Sequence, residues 1–130
     1  MTPELMYLVW SAVLTLVLVV IAVAGATLEV GLPVLAGNRE GGLPEMGGWA
    51  GRAARAHRNM LESLVLFAVL VFVAHSVNIS NPMTLLGAQL FFWGRVAHAI
   101  TYIAGLPWLR TGAWAVSVAG LVLIFLQLST

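Results

Sequence analysis

LMYLVWSAVLTLVLVVIAVAGATL, residues 5–28, contains no charged side chain. About 20 apolar residues, at about 1.5 Å each, are enough to cross the hydrocarbon core of a bilayer. We therefore predict a transmembrane helix over Leu5–Leu28. A cleaved signal peptide with Ala24-Gly25-Ala26 as its cleavage site is the alternative, but the segment lacks a basic leader and exceeds the usual length of roughly 7 to 15 apolar residues.

The composition of the whole chain also favours a membrane protein. Its 130 residues are 61% hydrophobic and only 8% charged, whereas a soluble domain carries roughly 25% charged residues. So few charges cannot cover a globular surface in water, and the length allows a single domain, residues 1–130. A net charge of +1 leaves no basic field for nucleic acid. The absence of cysteine excludes disulfides and thiolate metal sites.

The second apolar run, residues 63–77, is too short to cross a hydrocarbon core about 30 Å thick. Extending the helix back through GRAARAHRNMLE, residues 51–62, supplies the missing length, and nothing after Gly51 breaks a helix. As a consequence, Arg58, Asn59 and Glu62 lie at membrane depth.

Two further helices follow from the turn signals. Residues 78–82 form a predicted turn that leads into a third helix from about Met83 to Ala104. Gly105-Leu106-Pro107 breaks the chain, and the last helix extends from Pro107 to about Leu128. The predicted fold is all-α: an integral membrane four-helix bundle with one long loop and two short ones.

The arginines predict the orientation of this multi-pass bundle. Both termini and the loop at Asn78 share one side, which carries no arginine, while Arg39, Arg52, Arg55 and Arg110 lie in or next to the loops of the other side. By the positive-inside rule the second side is cytoplasmic, so we expect both termini to lie away from the cytoplasm, in a bacterial inner membrane.

Polar side chains form a stripe on each of the two middle helices. On the second helix, at about 100° per residue, four polar residues fall within an arc of about 80°, and Arg58 lies about 40° beyond it. These four are Arg52, Arg55, Asn59 and Glu62. On the third helix, the pattern i, i+4, i+7, i+11 places Phe91, Arg95, His98 and Tyr102 on one face.

Arginines inside a membrane span face a polar interior and usually mark function. For Arg55, Arg58 and Glu62 alone, a structural ion pair of one arginine with the glutamate is as good an interpretation as a functional role. However, one embedded glutamate cannot balance five arginines. The surplus charge needs an anion from outside, and a planar guanidinium binds a carboxylate in bidentate fashion.

Three segments carry a resemblance to a known family: RAHRNMLE (residues 55–62), GRVAHAITY (94–102) and PWLRT (107–111). In this order, and on these helices, they resemble the MAPEG family, the membrane-associated proteins in eicosanoid and glutathione metabolism. RAHRN and GRVAH are similar to the prostaglandin-forming members, while the loop NREGGLPEMGGWA resembles bacterial members.

The resemblance implies a homotrimer that binds glutathione between neighbouring subunits near the cytoplasmic face. It implies that Arg55, Asn59 and Glu62 of the second helix bind glutathione, and Arg58, close beside them, is included in the binding set. It implies that Arg95, His98 and Tyr102 of the third helix line the same site, that Arg110 stabilises the thiolate, and that Thr111 stands where the prostaglandin-forming members have a serine. The chain is one residue shorter than those members between Tyr102 and Arg110.

The chemistry of glutathione fits this set of residues. Glu62 can receive the ammonium, while Arg55, Arg58 and Arg95 hold the carboxylates. A free thiol has a pKa of about 8.5, and Arg110 near the amino end of a helix favours the thiolate through its charge and the helix dipole. Tyr102 either donates to the thiol, as a second catalytic residue, or closes the site, and no metal is expected. The thiolate would attack a lipophilic electrophile or hydroperoxide from the lipid.

Two other functions remain open on the sequence. A non-catalytic scaffold of the same family would bind a lipid or a partner, but such a pocket would not need the whole set of arginine, asparagine and glutamate. A small proton-coupled exporter would need a carboxylate in the middle of the first helix, and Leu5–Leu28 has none.

Overall fold

The computed structural model describes residues 1–38 and 46–130, and within these ranges every regular element is a helix. The helices are α1 (Pro3–Glu29), α2 (Leu32–Ala36), α3 (Gly48–Ser76), α4 (Pro82–Ala104) and α5 (Pro107–Leu128). The four predicted helices are thus present, with bounds within three residues of those expected. The short helix α2 lies in the segment that we predicted as loop, so that detail was wrong.

The ends of α4 show why the turn signals located the helices well. Asn81 is its N-cap: the side chain accepts from the backbone N–H of Met83 and Thr84 at 2.9 Å, and the Thr84 hydroxyl accepts from the N–H of Asn81. At the other end, Gly105 has a φ of 79°, which glycine adopts without strain. Pro107 then starts α5 in the position that suits proline.

The long helices pack so that both chain termini and the α3–α4 turn share one end, which we call the terminal end. There, the Ser80 hydroxyl donates to Glu4, and the Asn81 amide donates to Gln127 at 3.1 Å. The opposite end, which we call the loop end, contains the start of α3 and the α4–α5 turn, joined by a hydrogen bond from Arg52 to the carbonyl of Ile103.

Helices α4 and α5 approach closely because small residues line their contact. A Cβ added to Gly87 would lie 2.7 Å from the carbonyl oxygen of Gly120, and one added to Gly94 would lie 2.8 Å from the backbone nitrogen of Ser117. The sequence predicts Ala113, Ser117 and Gly120 as a contact face for another helix, and the structure confirms this with α4 as the partner.

The bundle is apolar inside and outside. Its core draws on all four long helices and includes the stacked rings of Phe67 and Phe91, whose centroids are 4.1 Å apart. Large apolar side chains are also exposed on the outer surface, among them Leu16 at 61% and Phe72 at 67%. Apolar surface on this scale is stable only in a lipid environment.

Three helices are long and apolar enough to cross a membrane: α1, α3 and α5. The chain is an integral membrane protein. The predicted span at α4 is not among the three, because polar and charged residues such as Gln89, Arg95 and His98 lower its hydropathy. Its 23 residues nevertheless reach about 34 Å at about 1.5 Å per residue.

Candidate functional site

Arg95 is a fully buried cation in the middle of the helix bundle. Its side chain is 1% exposed, and its Nη2 donates to Oδ1 of Asn59 on α3 at 2.8 Å. Its Nε and Nη1 are also buried, and neither has a hydrogen-bond partner within residues 1–38 and 46–130. Because burying an unpaired charge is costly, this arrangement indicates that an anion belongs beside the guanidinium.

Three further predicted site residues follow Arg95 toward the loop end. His98 is buried, its Nδ1 has no partner among the described residues, and its ring meets the Tyr102 ring edge-on with centroids 5.4 Å apart. The guanidinium carbon of Arg110, on α5, lies 4.5 Å from the centroid of the Tyr102 ring. Arg95, His98 and Tyr102 lie along one side of α4, with Asn59 bound to Arg95 at one end and Arg110 over Tyr102 at the other; we call these five residues the α4 series.

Arg55 and Arg58 lie in a different place. Both are exposed, and together with His57 they line a cavity of about 870 Å³ between α1, α2 and the first half of α3. The remaining lining is mostly apolar and includes Val23 and Leu35. A cavity of this size with basic side chains on one wall can hold a ligand that has both anionic and apolar parts.

Glu62 and Thr111 are also outside the α4 series. Glu62 is exposed on α3, and in the part of the chain that is described it forms no ion pair with Arg55 or Arg58. Thr111 is exposed, and its hydroxyl donates to the carbonyl of Pro107 at 3.0 Å. Within the described residues, the predicted site residues thus form one assembled group, the α4 series, and several exposed members outside it.

Comparison with known proteins identifies the family. The model of the MAPEG family matches residues 5–130, essentially the whole chain. The chain belongs to the MAPEG family. The family includes glutathione transferases and peroxidases, its members use glutathione as substrate or cofactor, and they are generally trimers. No curated protein and no solved structure matches the chain.

Two polar contacts of this MAPEG chain were not predicted from the sequence. Arg52 was placed on the polar stripe, but its donation to the Ile103 carbonyl at 2.9 Å was not predicted. Glu4 follows the N-cap Thr2 and so has the pattern of an exposed first-turn acid, yet it is 4% exposed and accepts from the Ser80 and Thr84 hydroxyls. Both contacts depend on a neighbouring helix, which no local pattern specifies.

The first loop contributes little to the described site. Glu29, at the end of α1, accepts from the backbone N–H of Gly47 at 3.1 Å and so joins the two ends of the loop. Arg39, which we placed on the cytoplasmic side, lies outside the described residues.

Proposed function

We propose that this MAPEG protein is a glutathione-dependent membrane transferase or peroxidase, of the bacterial type. The observation that carries the proposal is the Arg95 guanidinium, which is buried in the bundle with two of its three nitrogens lacking a partner in the described chain. Asn59 supplies its one hydrogen bond and brings no charge.

The described glutamates do not supply the missing anion. Glu4 is held by two hydroxyls at the terminal end, Glu29 binds the backbone of Gly47 at the loop end, and Glu62 is exposed. A ligand carboxylate would satisfy the free donors of Arg95 with charge-assisted hydrogen bonds. Glutathione carries two carboxylates and, in this family, is the established small-molecule ligand.

The remaining contacts of glutathione are assigned by charge. Arg55, Asn59 and Glu62 stand at i, i+4 and i+7 on α3, so an extended tripeptide can follow one side of this helix. Arg55 and Arg58 would bind the second carboxylate from the cavity wall, and Glu62 would bind the ammonium. His98 forms the polar wall beside Arg95, and Thr111 lies at the edge of the site.

The thiol would be activated by Arg110 and Tyr102. Arg110 is the fourth residue of α5, near the positive end of the helix dipole, and it is held over the Tyr102 ring. A sulfur atom placed beside these groups is stabilised as a thiolate, with the Tyr102 hydroxyl as a second donor. The thiolate then attacks a lipophilic substrate that enters from the bilayer. At an electrophilic carbon it forms a thioether as the leaving group departs; at a peroxide oxygen it breaks the O–O bond, the alcohol leaves, and a second glutathione reduces the sulfenic acid to the disulfide and water. In both cases the protein contributes position and electrostatics.

A homotrimer accounts for the exposed charges on α3. Arg55, Arg58 and Glu62 are exposed on a membrane-spanning helix of a single chain, where contact with lipid would be unfavourable. A second copy of the chain can cover this surface and complete the site, near the cytoplasmic face in the predicted orientation.

The proposal is tested by adding glutathione to the purified protein and measuring thiolate ultraviolet absorbance near neutral pH. We expect a thiolate signal with the wild type and its loss in Arg110→Ala. No signal with the wild type would refute glutathione activation. A signal that persists in Arg110→Ala would show that another residue stabilises the thiolate.

One observation favours a second function, a non-catalytic MAPEG scaffold that binds lipid. The cavity beside Arg55 and Arg58 combines apolar walls with a basic rim, as an anionic lipid requires. On this hypothesis, purified protein retains lipid that Arg55→Gln/Arg58→Gln loses, and glutathione produces no thiolate signal.

A further inference from the structure

We propose that Arg52 is a positioning residue for the glutathione site. It clamps the α4–α5 turn to α3, so that Tyr102 and Arg110 keep their height relative to Arg95. The clamp is a property of the described contacts, while its effect on glutathione rests on the function proposed above.

The last carbonyl groups of α4 need partners from outside the helix. Here the N–H of Leu106 binds the carbonyl of Thr101 at 2.9 Å, and the N–H of Gly105 binds that of Tyr102 at 3.1 Å. The carbonyls of Ile103 and Ala104 remain, and Arg52 Nε donates to that of Ile103 at 2.9 Å. A cation in this place also interacts favourably with the negative end of the helix dipole.

The Arg52 guanidinium also lies beside the turn itself. A Cβ added to Gly105 would lie 3.4 Å from Arg52 Nε and 3.6 Å from its Cζ, so the side chain runs next to this glycine. Gly105 has a positive φ and links the two helices. Arg52 therefore binds a carbonyl group in the last turn of α4 and lies next to the left-handed residue that follows.

Helices α3 and α4 run in opposite directions, and polar contacts set the position of one along the other. Two polar contacts join them: Arg52 to the Ile103 carbonyl, and Asn59 to Arg95. The donors and acceptors are separated by seven residues on α3 and eight on α4, about 10 and 12 Å at about 1.5 Å per residue. Because these spacings match, the two contacts together fix how far α4 slides along α3.

Tyr102 and Arg110 flank the turn, so their positions depend on it. Tyr102 immediately precedes Ile103, and Arg110 begins its own helical hydrogen bonding at the turn residue Leu106, at 3.0 Å. Loss of the clamp would let the turn move and with it the stacked pair of Tyr102 and Arg110. Arg95 lies farther from the turn and is bound to Asn59, so it would stay in place. Arg52 should therefore affect activation of the thiol more than binding of the carboxylates.

The experiment compares Arg52→Gln, the conservative Arg52→Lys and the control Gln127→Ala. Gln127→Ala removes the hydrogen bond to Asn81, a comparable contact of α5 at the terminal end. Two quantities are measured on the full-length protein in detergent. The first is hydrogen exchange of the Gly105 and Leu106 amides without ligand, and the second is glutathione affinity together with the pH midpoint of its thiolate absorbance.

We expect Arg52→Gln to accelerate exchange at the turn about tenfold, as for loss of about 1.4 kcal/mol of local protection. The thiolate midpoint should rise by about one pH unit while the affinity changes less than about threefold. Arg52→Lys should keep both the exchange rate at the turn and the thiolate midpoint close to their wild-type values, and Gln127→Ala should change neither quantity.

Unchanged exchange at the turn in Arg52→Gln overturns the clamp. Faster exchange with an unchanged thiolate midpoint overturns its role in positioning. Equal effects of Arg52→Gln and Gln127→Ala would show general destabilisation and also overturn it. A wild type without any thiolate signal refutes the proposed function and, with it, the positioning role, whereas the exchange data still decide whether Arg52 holds the turn.

Discussion

Replacement of Arg95 by methionine should have opposite effects on the free protein and on ligand binding. Methionine is unbranched and apolar, and can fill much of the space of the arginine stem without a charge. In the free protein the guanidinium is buried, and two of its nitrogens lack partners in the described chain. Replacing a buried ion pair by apolar residues is often neutral or stabilising by about 1–4 kcal/mol, and removing this unpaired cation should do the same after the loss of its hydrogen bond to Asn59. We therefore expect Arg95→Met to unfold at the wild-type temperature or above it.

Bound glutathione reverses the sign of the effect. If a carboxylate accepts one hydrogen bond from each of the two unpartnered nitrogens, each bond to this charged group contributes at least about 1.5 kcal/mol. Together they contribute about 3 kcal/mol. Since about 1.4 kcal/mol corresponds to a factor of ten, Arg95→Met should weaken glutathione binding about 100-fold.

The assay is thermal unfolding in detergent with and without glutathione, because a ligand that binds only the folded state raises its stability. Gln89→Met is the matched control, since it places the same side chain on α4 at a half-buried position outside the α4 series. Wild type and Gln89→Met should show the glutathione-induced rise, and Arg95→Met should lose it. An Arg95→Met protein that unfolds far below the wild type and keeps the full rise would refute the reasoning.

Substitutions at four other positions test the packing and the remaining site residues. Gly87→Ala places a Cβ 2.7 Å from the Gly120 carbonyl and should destabilise the protein by about 2 kcal/mol, whereas Gly112→Ala, with nothing within 4 Å, should stabilise it by up to about 1 kcal/mol in the same unfolding assay. Tyr102→Phe should keep the ring under the guanidinium and retain more turnover of glutathione with a chlorodinitrobenzene than Tyr102→Leu; equal rates would argue against the stacked pair. Glu62→Gln should weaken binding of glutathione, measured by calorimetry, but leave N-acetylated glutathione unaffected, and equal losses would exclude a contact with the ammonium.

The fold was predictable because its signals are local. An uncharged run, the Asn81-Pro82 cap and the glycine before Pro107 each act within a few residues, so the long helices could be located from the sequence. The short helix α2 begins at Gly31-Leu32-Pro33, the same tripeptide that precedes α5, but it spans only five residues and has no side-chain cap, so the signal was not recognised as a helix start. The small residues of α5 indicated a contact face, but only the structure identified α4 as its partner.

The surroundings of the candidate site residues were predictable only on α4. There, the predicted stripe agrees with the structure: Phe91, Arg95 and His98 are buried, and Tyr102 is partly buried. On α3, the polar residues were also placed correctly on the helix, but their directions around the helix axis differ by only tens of degrees. Neighbouring positions therefore face different surroundings: Asn59 contacts α4, while Arg55 lines the cavity beside α1. A helical projection gives the direction of a side chain and cannot say which element lies there.

The two buried ionic groups of the described chain make the strongest case for a ligand when they are compared. Glu4 is 4% exposed, and both of its carboxylate oxygens accept hydrogen bonds, from the hydroxyls of Ser80 and Thr84. This fold can thus satisfy a buried charge with its own side chains at the terminal end. Arg95 is buried more deeply, yet it has one neutral partner and two unpartnered nitrogens. Since the same described helices satisfy one charge and leave the other open, the open one is better explained by a partner from outside the described residues than by poor packing.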